Sequence, residues 1–204
     1  MAAKTRIAVF VSGGGTNLQA LIDAQAAGKM PDGEIVLVAS SSPTAYALTR
    51  AEQAHIPAVV CSRKELGSQE AFEAALDAAL AEHGAEVIVL AGFLSILSED
   101  FTSRRRERIL NVHPSLIPSF CGKGFYGLRV HEAALERGVK VTGATVHFVN
   151  EIPDGGRILL QKAVPVEEND TPETLQRRVM EQAEWVLLPQ ATQMVCAAIR
   201  KEKA

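Results

Sequence analysis

Ile7-Ala-Val-Phe-Val-Ser-Gly-Gly-Gly-Thr-Asn-Leu-Gln-Ala-Leu-Ile-Asp-Ala24 changes character twice. Ile7 to Val11 is a short apolar run of β-prone residues, Ser12 to Asn17 is a glycine loop, and from Leu18 onward the apolar spacing turns helical. The order strand, glycine loop, helix is the opening unit of an α/β protein. Glycines let a backbone come close to a ligand, and the free N–H groups at a helix start attract an anion. A nucleotide loop of the Walker A kind needs Gly-Lys-Ser/Thr at its close, where this chain has Gly15-Thr16-Asn17. A dinucleotide fingerprint needs a third glycine where Leu18 stands, and an acid near Ala39-Ser-Ser-Ser42. Two readings remain: a site for a monophosphate or similar small anion, and a purely structural turn.

Downstream the alternation continues. Strands are expected over Glu34–Ala39, Ala58–Val60 and Glu86–Ala91, and helices over Thr44–His55 and Gln69–His83. Nearly continuous Val/Ile/Leu strands between amphipathic helices predict a mostly parallel sheet covered on both faces, with ligands beyond the carboxyl ends of its strands. Past the middle, a helix is expected around Val130–Glu136. Strands over Lys140–Val149 and Arg157–Val166, joined by the turn Glu151 to Gly156, form an antiparallel hairpin. Thr171 is placed to cap a helix with Pro172 at its first position and Thr174 at its third, and Pro189 is expected to break or kink that helix before a final Ala191–Lys203 segment.

The 204 residues carry a formal charge of −3 with both signs dispersed, which gives no electrostatic reason to expect nucleic acid or an acidic membrane as partner. Arg104-Arg105-Arg106 reads as a solvated helix end. Cys61, Cys121 and Cys196 are odd in number, far apart and without metal-ligand spacing, so a reduced, cytoplasmic protein is expected. No apolar run reaches membrane-spanning length, and none near the start is long enough for a signal segment. We expect a single domain over 1–204, with a phosphate-binding half of about 1–107 and a catalytic half of about 108–204.

A second stretch carries the chemistry: Ile109-Leu-Asn-Val-His-Pro-Ser-Leu-Ile-Pro118, followed about forty residues later by Pro153-Asp-Gly-Gly156. In extended geometry Asn111 and His113 share a face, and Pro114 keeps His113 out of a helix. An amide donor beside a titratable ring suits holding an oxyanion while a proton moves; the alternative is that both side chains serve only the turn backbone. The glycine- and aromatic-rich Ser119–Gly127 reads either as a lid or as an exposed connection. His147, on its strand, is read as a hydrogen-bonded structural residue, and the histidines form no metal-ligand pattern.

Taken in order, Ser12-Gly-Gly-Gly-Thr-Asn17, Leu90-Ala-Gly-Phe-Leu-Ser-Ile-Leu97, Asn111-Val-His-Pro-Ser-Leu-Ile-Pro118, Thr145-Val-His-Phe-Val149 and Asp154-Gly-Gly156 resemble the phosphoribosylglycinamide formyltransferases, from about Arg6 to Pro189. The resemblance implies a Rossmann-like formyltransferase fold. It also implies transfer of the formyl group of 10-formyltetrahydrofolate to the amine of a phosphoribosyl glycinamide in purine biosynthesis, without a metal and with small molecules as the only partners of a monomer or weak homodimer. It makes Asn111, His113 and Asp154 catalytic, and Gly15, Thr16 and Asn17 the phosphate cradle. Glu184 becomes the acid that contacts the ribose, although the local spacing differs by one residue. Leu94, Ser95, Ile96, Leu97, Asn111, Asn150, Glu151 and Asp154 line the folate site. Ser95 stands where relatives often have arginine, Gln69 stands where some have an arginine near the folate tail, and the Cys121–Tyr126 loop is longer than in many members. A carboxylate next to His113 leads us to expect that ring to titrate above its ordinary value of about 6.5. Other formyl-folate enzymes, the methionyl-tRNA formyltransferases and formyltetrahydrofolate hydrolases, resemble the same core but are expected to carry further domains.

Overall fold

In a computed structural model that describes residues 3–203, the chain forms a seven-stranded sheet in the order β3-β2-β1-β4-β5-β6-β7. Its strands are β1 (Thr5–Val11), β2 (Gly33–Ser40), β3 (Ala58–Val60), β4 (Val87–Leu90), β5 (Ile109–His113), β6 (Val141–Phe148) and β7 (Ile158–Pro165). The first five pair in parallel. β6 and β7 then run antiparallel, β6 against β5 and β7 against β6. The expected hairpin is therefore β6–β7, and its pairing to β5 supplies a second antiparallel ladder. The helices are α1 (Thr16–Ala26), α2 (Tyr46–Gln53), α3 (Arg63–Leu66), α4 (Gln69–Glu82), α5 (Glu99–Ser103), α6 (Leu128–Arg137), α7 (Pro172–Val179) and α8 (Trp185–Glu202).

Alternation along β1 shows why both faces are covered. Ile7, Val9 and Val11 join a core with residues of α1, α2, α6, α7 and α8, while Ala8 and Phe10 join a second core with Phe72 and Leu76 of α4 and Phe101 of α5. The chain leaves β1 toward β2 on one side and later returns to place β4 on the other. That reversal opens a crevice at the carboxyl ends of β1 and β4. The loops leaving those two strands meet there, with Leu94 N–H donating to Ser12 Oγ at 2.8 Å.

Two expectations change. Pro189 does not break the last helix, because it lies buried inside an unbroken α8; the irregularity comes earlier, as a π-helical turn over Met180–Glu184 between α7 and α8. The π turn holds one residue more than an α turn and shifts the backbone bonding just before the ring that lacks an N–H. The arginine run is not simply solvated either. Arg105 packs 3.9 Å over the Phe101 ring and pairs with Asp77, and Arg104 reaches Asp77 at 3.2 Å, so the run ties α5 to α4. The cap of α7 is as read: Thr171 and Thr174 bond reciprocally, with Pro172 at the first position.

Candidate active site

β5 ends the parallel part of the sheet, and its Asn111 is level with Leu90 at the end of β4 on one side and His147 of β6 on the other. The Asn111 amide donates to His147 Nε2 at 3.2 Å. His147 Nδ1 lies 2.8 Å from the Phe148 carbonyl, which can only accept, so Nδ1 carries a proton and Nε2 is the atom that faces the Asn111 amide. His113 donates from Nε2 to the Phe120 carbonyl at 2.8 Å by the same logic. Asp154, from the β6–β7 connection, lies between the two imidazoles: Oδ2 is 3.5 Å from His113 Nδ1 and Oδ1 is 3.5 Å from His147 Nε2. Gly122 N–H donates to Oδ2 at 2.8 Å, so the Ser119–Gly127 loop is docked on both His113 and Asp154.

The local backbone explains Asp-Gly-Gly. Asp154 has a left-handed φ of 57°, and Gly156 crosses the Phe148 carbonyl so closely that a Cβ would sit 1.7 Å from its oxygen. Only a glycine there lets the turn fold back over the site with its acid.

Burial sets the charge of the ring against the expectation drawn from sequence. The buried His113 has its pKa pushed below the ordinary value, because loss of solvent outweighs the Asp154 charge and the Phe120 carbonyl, both of which favour the imidazolium. The 3.5 Å gap to Asp154 explains why, since a tight charged N–H···O bond closes to about 2.7–2.9 Å. For Asp154, burial opposes ionisation, yet the adjoining His147 ring, the His113 charge and the Gly122 amide together hold its pKa below the usual carboxylate value. A neutral imidazole beside an ionised carboxylate is the pair that can accept one proton. His147 is hydrogen-bonded, as read from the sequence, and it belongs to this cluster. The signal for it is the β5–β6 register, which a strand-by-strand reading does not supply.

The glycine loop lies beyond the carboxyl end of β1. Gly15 is left-handed, with φ of 72°, and caps α1 without any side-chain bond to the helix start. A Cβ on Gly15 would lie 2.7 Å from Ala47 Cβ, so α2 packs directly on the loop. Thr16 is exposed and Asn17 is buried.

The sequence pattern of the formyl transferase family matches residues 5–192. The chain belongs to the formyl transferase family. It is 43% identical to phosphoribosylglycinamide formyltransferase of Haemophilus influenzae over 87% of this chain and 81% of that protein. The crystal structure of phosphoribosylglycinamide formyltransferase from Brucella melitensis superposes with a TM-score of 0.86 at 44% identity, covering 95% of this chain and 96% of the other. The trifunctional purine biosynthetic protein adenosine-3 of Gallus gallus is 47% identical over 95% of this chain, which spans 19% of that relative's length.

Within this formyl transferase, two of the expected site residues meet each other. Asn17 donates one N–H of its side-chain amide from Nδ2 to Glu184 Oε2 at 2.8 Å, and its second amide N–H and backbone N–H are not used in that bond. Glu184 is buried at the end of the π turn, and loss of solvent pushes its pKa up to about 7 against the lowering effect of Asn17. Leu97 is buried in the core with Phe72 and Phe101. Leu94 and Ile96 are exposed, Ser95 is half-buried, and Asn150 accepts from Ile152 N–H at 3.1 Å beside the exposed Glu151. Gln69 donates to the Ile96 carbonyl at 3.1 Å and to Glu73, fastening this loop to α4.

Proposed function

We propose that this protein transfers the formyl group of 10-formyltetrahydrofolate to the amine of N1-(5-phospho-D-ribosyl)glycinamide. The observation that carries this reading is Asp154 held between His113 and His147, beside Asn111 at the carboxyl edge of the sheet. When bound, the folate supplies the formyl carbon as electrophile and leaves as tetrahydrofolate. The exposed apolar side chains Leu94 and Ile96 after β4, and Ile152 after β6, fit a flat heteroaromatic ring, with Ser95, Asn150, Glu151 and nearby backbone groups to read its polar edge.

Addition of an amine to a formamide carbonyl builds negative charge on oxygen and positive charge on nitrogen. An amide has two N–H donors, so Asn111 can keep His147 and offer the other to the oxygen. His113 Nε2–H is the second donor; it serves the Phe120 carbonyl in the docked loop, and that carbonyl gives way when the substrate oxygen takes its place. Asp154 accepts the proton lost by the amine, directly or through water, and His113 shares the charge; the proton then passes to the folate nitrogen as its bond to the formyl carbon breaks, which releases neutral tetrahydrofolate and leaves the formyl group on the amine. Gly15, Thr16 and Asn17 bind the phosphate through backbone N–H groups and the Thr16 hydroxyl, and Glu184 faces the ribose. The two halves of the chain act as one unit, in a monomer or weak homodimer. The cysteines Cys61, Cys121 and Cys196 are unpaired, which suits a cytoplasmic enzyme.

The test is formation of tetrahydrofolate with and without the glycinamide substrate. Amine-dependent turnover supports a transferase, amine-independent turnover indicates a hydrolase, and no turnover removes the catalytic reading. His113→Ala and Asp154→Ala are each expected to lose about 10²–10⁴-fold in kcat at saturating substrates; near-normal turnover in either variant would take that residue out of the mechanism.

A further inference from the structure

The glycine loop has no lysine, yet its carbonyls would repel a phosphate if they faced it. All three glycine carbonyls are already engaged elsewhere. Gly13 C=O accepts Ala47 N–H of α2 at 3.0 Å, Gly15 C=O accepts Gln19 N–H of α1 at 2.9 Å, and Gly14 C=O accepts Arg50 Nε–H of α2 at 2.8 Å. Arg50 makes its second bond from Nη1 to Gln19 Oε1 at 2.9 Å, and its guanidinium lies 5.1 Å from the centre of the Tyr46 ring. The fork is therefore fixed at both acceptors and against a ring, and its stem passes close to where a Cβ of Gly15 would lie, 3.3 Å from Arg50 Cδ. Arg50 and Thr16 also line the same groove of about 810 Å³ between α1 and α8, which does not include Asn111, His113 or Asp154. A further sign of an incomplete polar set is the buried Asn17, whose Oδ1 has no hydrogen-bond partner although its Nδ2 is bonded to Glu184.

We propose that Arg50 is a positioning residue for the substrate phosphate. It holds the Gly14 carbonyl on the α2 side, so that the N–H groups of Gly15, Thr16 and Asn17 form the open side of the loop, and it places a fixed positive charge where a lysine-bearing loop would carry one. This rests on the phosphate reading of the glycine loop. Arg50 is not required for the chemistry at Asp154, so its effect falls on recognition of the phosphate rather than on the rate of transfer. A lysine in its place keeps the charge but cannot serve two acceptors in one planar fork.

The experiment compares kcat/KM for phosphoribosylglycinamide with that for the same glycinamide riboside lacking phosphate, in wild type, Arg50→Gln and Arg50→Lys, with thermal midpoints as a folding control. Wild type is expected to prefer the phosphorylated substrate strongly. Arg50→Gln is expected to lose on the order of tenfold of that preference, as a higher KM for the phosphorylated substrate with kcat and the KM for folate within about twofold; Arg50→Lys should fall between. A wild-type enzyme indifferent to the phosphate overturns the glycine-loop reading and this proposal with it. Wild-type preference retained in full by Arg50→Gln overturns the Arg50 proposal alone. So does an equal loss for both substrates, which is the signature of a merely structural arginine, and the lysine variant decides the matter if the glutamine variant does not fold.

Discussion

Three side chains, Asn111, His113 and His147, around the Asp154 carboxylate do the chemical work proposed here; burial decides the charge of His113, and its neighbours decide that of Asp154. Asn111→Ala removes one oxyanion donor and is expected to lower kcat by about 10²–10³-fold with little change in folding. Asp154→Asn removes the charge that favours the His113 imidazolium, so the His113 pKa, already depressed by burial, should fall further. An NMR titration of the ring reads this directly, and a rise would mean that Asp154 does not face His113 in solution. Asn111 and His113 were legible because alternate strand positions share a face and Asp-Gly-Gly marks a tight turn. His147 was not, because its role comes from a partner strand whose register no local pattern encodes. The direction of the His113 shift was misjudged for a related reason: sequence supplies the neighbouring carboxylate but not the depth of burial or the 3.5 Å gap.

Between α7 and α8, the π turn at Met180–Glu184 delivers Glu184 to Asn17 without disturbing either flanking helix. A turn that has absorbed one residue can release it. Deleting the exposed Gln182 should leave the buried Leu175 and Val179 before it, and Leu187 and Leu188 after it, on their present faces. Deleting the exposed Gln190 inside α8 rotates everything beyond it by about 100° and turns Val195 and Ile199 out of the core. Thermal unfolding of the two deletions should therefore separate them widely, and equal midpoints would show that the π turn is not the absorbing element. Helix capping at Thr171 and the strand–loop–helix opening were readable from local residue preferences. The continuity of α8 through Pro189 was not, since a proline's tolerance depends on how the preceding turn is bonded and on what the ring packs against.

For the whole molecule, opposing buried groups bracket the stable pH range. Burial, followed by the neighbouring His113 charge, pushes His131 down to about 4, and burial also lowers His113. Each histidine binds fewer protons folded than unfolded, so each contributes stability that is lost as pH falls below about 6.5. Glu184 has the reverse sign. Its folded pKa of about 7 lies above the ordinary 4.5, so stability present below 4.5 is lost as pH rises through 7, an effect of about 3 kcal/mol at full extent. Thermal midpoints scanned across pH should fall on both sides of a maximum, and Glu184→Gln should flatten the alkaline limb while leaving the acid limb; an unchanged alkaline limb would place Glu184 in contact with solvent. By itself, the sequence determined the α/β class, the strand–loop–helix units and the motifs that bring amide, imidazole and carboxylate chemistry to strand ends, because residue spacing and turn chemistry act over a few positions. Tertiary structure alone decided which carbonyls Arg50 ties down, that His147 and Asp154 meet, that Asn17 is committed to Glu184, and which form each buried group prefers. Those outcomes depend on distances between strands and helices far apart in the chain, and on how completely packing removes water from each site.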